Sequence, residues 1–437
     1  VIDLATALEL VERTATPLRP RRRRLLDAGG AVLAAAVIAD VDSPPWDRAM
    51  MDGFAVRDVD FAPGGAEIVD LEVVADLAAG DVTGLEVRPG RCARIMTGAP
   101  LPPGADAVVP IERALEGTAG ARAGGRVRLL DAAFRPGQHV ARRGAAFRRG
   151  QEVIPAGTRL GAAAVGLAAE AGATHVMASP RVRVAILQTG SELVSHEAVP
   201  AYGQTRNSNG PMLAAAVAAL GCEPILQGIA PDRPEPLRAA IAQALAADVL
   251  VLSGGVSAGD LDLVPGVLAR CGVTEVFHKV RLKPGKPVWF GVLRRPADES
   301  PTLVCGLPGN PASSLVCFEL FVRPAVCILA GRPRDQWHRP RVTARLAAAA
   351  KAPPDRPVYL PCRLARDASG WQAEPLPWTG SSDLLGLATA DGLLALPAGA
   401  GTLAAGSTVE VALLAEVAPE EWRTGRPPRP AAGVAGR

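Results

Sequence analysis

Apolar residues recur at helical spacing over residues 5–11 and again over 25–38, which predicts that the stretch 1–41 is mainly helical. Ser43-Pro44-Pro45 ends that pattern. From 42 to 141 the chain changes to short alternating runs, such as 67–74, 92–96 and 126–130, separated by Gly and Pro. That patterning predicts a small β domain. Residues 142–180 return to helix and loop, notably 160–171, so the β domain reads as an insertion in a helical, extended domain made of 1–41 and 142–180. From Arg181 the order is strand, loop, helix, repeated. Strands are predicted at 182–187, 224–230, 248–252, 287–293 and 302–306, and helices at 211–220, 234–246, 261–270 and from Pro311 to about Leu329. Asn207-Ser208 is placed to cap the first of these helices. Such alternation over 181–331 predicts a parallel or mixed sheet covered by helices on both faces. Residues 332–418 are again short strands and turns, a second, barrel-like β domain. The tail, 419–437, is rich in Pro, Gly and Arg and is expected to be disordered. The expected fold class is therefore multidomain α/β plus β: a central α/β domain, two small β domains and an extended helical domain.

Length agrees with several cores, since 437 residues exceed what one domain usually holds. Aromatic residues make up only 4% of the chain, so Val, Leu and Ala must fill those cores. A net charge of +3 gives no reason to expect nucleic acid as a partner. The run Arg21–Arg24 lies in what reads as a helical stretch and is expected to be a solvated face or a subunit contact. The seven cysteines are scattered, without a Cys-x-x-Cys pair, and several sit inside apolar runs. This is the pattern of buried thiols in a reducing compartment. No segment reads as a secretory leader or a membrane span, and a cytoplasmic location is expected.

Charge becomes informative in its distribution. The chain has four lysines, and Lys279, Lys283 and Lys286 fall within eight positions, whereas arginine carries positive charge almost everywhere else. Lysine ammonium groups are compact and strongly hydrated point charges. Read as a strand, Lys279, Arg281 and Lys283 share one face while Val280 and Leu282 point into the core. Pro284-Gly285 then turns the chain and returns Lys286 toward the same point. Cations so placed repel one another unless an anion sits among them, so phosphate or an inorganic oxyanion is the expected ligand. An edge strand guarded by lysine is the bland alternative, and it leaves the Pro-Gly turn and Lys286 unexplained.

In an open α/β sheet ligands bind beyond the carboxyl ends of the strands. Those ends carry Thr189-Gly190-Ser191-Glu192, then Pro231-Asp232, then the run from Ser253 through Gly254, Gly255, Ser257 and Asp260 to Asp262, and finally Leu307-Pro308-Gly309-Asn310-Pro311-Ala312-Ser313-Ser314. Glycines let backbone amides approach a phosphate, and a helix N-terminus adds partial positive charge. Carboxylates beside cations and phosphates suggest Mg²⁺, which needs only one or two carboxylates plus phosphate oxygens and water.

Five stretches also carry a resemblance: 46–55 (WDRAMMDGFA), 94–100 (RIMTGAP), 253–260 (SGGVSAGD), 283–287 (KPGKP) and 306–314 (GLPGNPASS). In order and spacing, from about residue 4 to 418, the chain resembles the molybdopterin molybdenumtransferases. These insert molybdate into adenylylated molybdopterin with release of AMP, the last step of molybdenum-cofactor synthesis. The resemblance implies a four-domain, L-shaped homodimer whose α/β domain binds the pterin and whose cleft is completed by a β domain of the partner subunit. Other proteins of cofactor synthesis are further expected partners. It implies catalytic roles for Asp52, Thr97, Glu192, Asp232, Asp262, Lys279 and Lys283, with Glu192, Asp232 and Asp262 as metal ligands. Ser257, Lys283, Lys286, Ser313 and Ser381 match molybdate-binding positions. At Pro361 the family usually carries an arginine, and Arg363, two residues on and on the same strand face, is the expected substitute. The alternatives are a scaffold that binds the pterin without turnover and a pterin-adenylylating enzyme sharing only the α/β domain.

Overall fold

The computed structural model describes residues 1–61, 68–256, 263–295, 300–368 and 370–414. Ser257, Asp260, Asp262 and the tail 419–437 lie outside the described residues. The chain divides into two compact units, one of Val1–Arg21, Gly30–Val32 and Ala178–Arg437, the other of Arg22–Gly29 and Leu33–Met177.

The first unit opens with helix α1 (Leu4–Thr14), whose N-terminus is capped by Asp3 accepting from the Thr6 amide at 2.8 Å. Its buried face is Ala7 and Val11, at the i, i+4 spacing read from the sequence. Over residues 15–41, most of which belong to the second unit, no α-helix forms. Arg21–Arg24 is a short strand, Leu25–Asp27 a single 3-10 turn, and Val37–Ile38 another short strand. The helical reading of 25–38 fails because Gly29-Gly30 interrupts it, with Gly30 at φ +79°.

The second unit contains a five-stranded sheet of β1 (Gly53–Val56), β2 (Val69–Leu77), β3 (Arg91–Ile95), β4 (Ala107–Pro110) and β5 (Arg126–Leu129), in the order β4-β1-β3-β2-β5. Strands β1 and β4 are buried along their whole length. A Cβ at Gly53 would lie 2.0 Å from the Val109 carbonyl oxygen, so only glycine lets these strands approach. The expected helix of this unit is α2 (Ala162–Glu170).

In the first unit the strand–helix alternation appears as β6 (Arg183–Thr189), α3 (Asn209–Ala219), β7 (Glu223–Ala230), α4 (Pro234–Ala244), β8 (Val249–Ser253), α5 (Val264–Arg270), β9 (Thr274–His278), β10 (Trp289–Leu293) and β11 (Thr302–Leu307). The six strands lie in the order β7-β6-β8-β11-β10-β9. The sheet is mixed, because β10 runs antiparallel to both β11 and β9. The central strands β8 and β11 are buried throughout, as expected of strands covered on both faces. The segment Pro311–Leu329 consists of α6 (Pro311–Cys317), a π-helical turn at Phe318–Val322 and α7 (Arg323–Leu329). Pro324 has no amide to continue an α-helical ladder, and the π turn just before it absorbs the mismatch. This segment is long and apolar enough to cross a membrane, but 89% of its most apolar window is buried inside the fold. It is a core helix.

A closed barrel follows: β12 (Arg341–Leu346), β13 (Val358–Asp367), β14 (Gly370–Pro375), β15 (Gly392–Leu396) and β16 (Thr408–Leu413), in the order β12-β14-β13-β15-β16, with helix α8 (Leu384–Ala388) inserted. One apolar cluster joins sheet, α6, α7 and barrel, since Tyr359, Leu387 and Leu393 belong to it with Phe290, Val316 and Phe321. Among the seven cysteines no disulfide forms, and all but Cys271 are buried. Burial pushes the Cys92, Cys305 and Cys362 thiols up to about 12, so they are inert thiols in the core.

Candidate functional site

Strand β6 pairs with β7 on one side and β8 on the other, so the carboxyl ends of β6 and β8 flank the point where strand order reverses. A cavity of about 690 Å³ opens there. Its floor comes from the strand ends read in the sequence: Thr189, Glu192, Asp232, Ser253, Gly254 and Pro308. The turn after β8 depends on glycine. Gly254 has φ +101°, and a Cβ there would sit 2.3 Å from the Thr189 carbonyl oxygen. Asp232 accepts the Ser191 amide at 3.1 Å and so fixes the loop that carries Glu192. Asn209, missed in the sequence reading, donates from Nδ2 to Ser253 Oγ at 2.6 Å and to the Gly309 carbonyl at 2.8 Å. Its Oδ1 and the Thr189 Oγ1 are buried without a partner. Of the expected capping pair, Asn207 accepts from the Gly210 amide at 2.9 Å, whereas Ser208, at the N-cap position of α3, makes no capping bond.

A second cavity, of about 330 Å³, adjoins the first through the shared wall Pro287, Pro308 and Asn310. Three cations line it, Lys283, Lys286 and Arg356, with Ser313, Ser381 and Trp378. No carboxylate is among its lining residues. A cluster with this excess of positive charge suits an anion.

The lysine segment is not a regular strand. Strand β9 ends at His278, and Lys279 takes φ +69°. The inward alternation nevertheless persists, with Val280 and Leu282 buried. Lys286 returns as expected, its carbonyl accepting the Val280 amide at 2.9 Å. Barrel strand β13 then clamps Lys283 from both sides: the Lys283 amide donates to the Pro357 carbonyl at 3.0 Å, and the Tyr359 amide donates to the Lys283 carbonyl at 2.8 Å. This register sets Arg356 beside the lysines. Asp355 holds the Arg356 guanidinium through Nε and Nη2, at 3.0 and 2.6 Å, leaving Nη1 for another acceptor.

The N-terminus of α6 is not an open anion site. Pro311 has no amide, and the Ala312 and Ser313 amides donate to the Ser381 carbonyl at 3.0 and 3.3 Å. The Ala312 and Ser313 amides are therefore already engaged by the barrel loop.

Of the remaining sequence candidates, Lys279 and Arg363 line neither cavity. Arg363 faces Glu374 in the barrel register, with its Nε buried and unpartnered. Pro361 pairs opposite Leu393, and its carbonyl still accepts the Leu376 amide at 2.9 Å, so the barrel accommodates it. In the second unit Asp52 and Thr97 meet where β1 begins and the antiparallel β3 ends. Asp52 Oδ1 accepts from Thr97 Oγ1 at 2.6 Å and from the Thr97 amide at 2.7 Å. These bonds, that of the side chain foremost, hold the Asp52 carboxyl below its ordinary value of 3.8.

The comparisons with known proteins agree with this anatomy. Family models match in three consecutive blocks: the MoeA N-terminal region (domain I and II) over residues 2–172, a probable molybdopterin binding domain over 185–327, and the MoeA C-terminal region (domain IV) over 343–414. A molybdopterin molybdenumtransferase of Nostoc sp. is 36% identical over 387 residues, covering 88% of this chain and 86% of the relative. Molybdopterin molybdenumtransferase 1 of Mycobacterium tuberculosis is 34% identical over 428 residues, covering 93% and 97%. Among solved structures, the molybdopterin biosynthesis moea protein from Pyrococcus horikosii superposes with a TM-score of 0.77 at 31% identity, over 95% of this chain and 100% of that one.

Proposed function

The chain belongs to the molybdopterin molybdenumtransferase family, and on that premise we propose that it inserts molybdate into adenylylated molybdopterin and releases AMP. The observation that carries this reading is the pairing of two cavities of unlike chemistry across one wall, a larger one with carboxylates and glycine turns and a smaller one with three cations and no carboxylate.

The larger cavity receives the adenylylated pterin, and the smaller receives molybdate, a dianion. Lys283, Lys286 and Arg356 neutralise that dianion, each charge-assisted contact contributing about 1.5–3 kcal/mol. Ser313 and Ser381 supply hydroxyl donors that orient it. The two substrates then face each other past Pro287, Pro308 and Asn310, so their reaction is favoured by proximity. Glu192 and Asp232 offer hard oxygen donors beside the phosphate-accepting turn, a set that fits Mg²⁺, with Asp262 as a further ligand. Bound there, Mg²⁺ would neutralise and polarise the phosphoanhydride. Asp52 and Thr97 act as one hydrogen-bonded acid–hydroxyl pair. Lys279 contributes long-range positive charge, and Ser257 completes the oxyanion donors. The active species is a homodimer.

The test is AMP release from adenylylated molybdopterin with Mg²⁺, with and without molybdate, for wild type and Lys283→Ala. Molybdate-dependent release that is lost in the variant is the expected result. Stoichiometric pterin binding without AMP release would replace the reading by that of a scaffold.

A further inference from the structure

Asn310 stands at the N-cap position of α6, where an asparagine side chain ordinarily accepts from the second or third amide of its own helix. Here it makes no such bond. The Ala312 and Ser313 amides are taken by the Ser381 carbonyl, a cap delivered from the barrel loop. Relieved of capping, the Asn310 side chain reaches the same loop and donates from Nδ2 to Ser381 Oγ at 2.7 Å. Asn310 also lines both cavities, whereas Ser381 lines only the smaller.

The chemistry of that bond has a direction. A hydroxyl has one proton and two acceptor lone pairs, and an amide NH₂ can only donate. With a lone pair of Ser381 engaged by Asn310, the hydroxyl proton remains to be donated elsewhere, and no carboxylate lines the cavity beside it to take it. An oxyanion seated among Lys283, Lys286 and Arg356 is the acceptor that proton would find.

We propose that Asn310 is a positioning residue that acts through Ser381, turning its hydroxyl into a donor to the oxyanion in the smaller cavity. The proposal rests on the reading of that cavity as the molybdate site. Removing either partner deletes one charge-assisted hydrogen bond, and removing the second deletes nothing more. Asn310→Asp reverses the polarity: a carboxylate accepts only, so it draws the Ser381 proton to itself and adds negative charge to the wall.

Molybdate binding by the full chain, measured calorimetrically with the nucleotide site filled by AMP, separates these cases. Asn310→Ala and Ser381→Ala should each weaken molybdate by about tenfold, and the double variant should be no weaker than Ser381→Ala alone. Asn310→Asp should lose more than Asn310→Ala. In turnover of Ser381→Ala, whose residue lines only the smaller cavity, the KM for molybdate should rise while that for adenylylated molybdopterin holds. Ser381→Ala keeps the backbone carbonyl that caps α6, so its fold is not at stake. Losses that add in the double variant, or no loss in either single variant, overturn the positioning role while leaving the cavity reading standing. Equal molybdate binding by wild type and Lys283→Ala overturns the cavity reading itself, and this inference with it.

Discussion

At the scale of the residue, the smaller cavity separates two arginines that look interchangeable in the sequence. Arg356 lines it with one side of its guanidinium held by Asp355, whereas Arg363, seven positions on, faces Glu374 on the barrel. Arg356→Ala should therefore weaken molybdate by at least tenfold, as expected for loss of a hydrogen bond to a charged group. Arg363→Ala should leave it within about twofold. Equilibrium binding of both variants checks this, and the reverse order would return the role to Arg363. Asp52 gives a second test. Its folded carboxyl lies below the ordinary 3.8 because Thr97 donates to it twice. A depressed carboxylate stabilises the fold fully above its unfolded value, and that contribution is lost as pH falls through the folded value. Thr97→Ala removes the larger of the two donors, so Asp52 should titrate at higher pH, nearer 3.8, and acid unfolding should begin at higher pH than in wild type. Carboxyl-carbon NMR follows the titration directly, and an unmoved Asp52 would show that the Thr97 hydroxyl is not its determinant. The lysine cluster was legible in sequence because lysine is so rare in this chain. Arg356 was not, because its place depends on a strand register set by Lys283, 73 residues away.

The elements show what local pattern can and cannot carry. The buried runs of β6, β8 and β11 and the helix starts at Pro234 and Pro311 were readable, since burial on both faces and proline at the first helical turn leave direct marks. Strand β10 was readable as a strand at 287–293 but its antiparallel direction was not, because direction is decided by pairing and not by composition. The capping of α6 by Ser381 was also invisible, a contact between residues about 70 apart in sequence. So was the π turn at Phe318–Val322, which sets Glu319 against Arg339. That pair is bidentate, with both contacts at 2.8 Å, and the glutamate side chain is 5% exposed. Breaking a buried ion pair from one side leaves an uncompensated charge. Glu319→Ala should destabilise the fold by about 3–5 kcal/mol, the more so because Arg323 Nε, buried in the same region, has no partner of its own. Urea unfolding measures this, and a loss below about 1 kcal/mol would place the pair among weak surface bridges.

For the molecule as a whole, the question is whether the α/β domain and the barrel of the first unit behave as one body. Two observations say that they do. Main-chain bonds cross between them at Lys283–Pro357, Lys283–Tyr359 and Ala312–Ser381. The apolar cluster beneath the sheet also runs without interruption into Tyr359, Leu387 and Leu393 of the barrel. A separate barrel would unfold alone, with hydrogen exchange in β15 reporting its own opening and β8 unaffected. A shared core couples them, because a cavity made on the barrel side removes packing from both. Leu393 is 2% exposed and lies at that junction. Leu393→Ala should cost about 2–5 kcal/mol, the range for a buried leucine. Amide protection in β8 and β15 should fall together by a similar free energy. If protection falls in the barrel alone, the two domains open independently, and the clamp on Lys283 would be a docking contact between separate bodies. Joint loss means that the oxyanion cavity, whose cations come from both domains, is held to its geometry by the global stability of the unit.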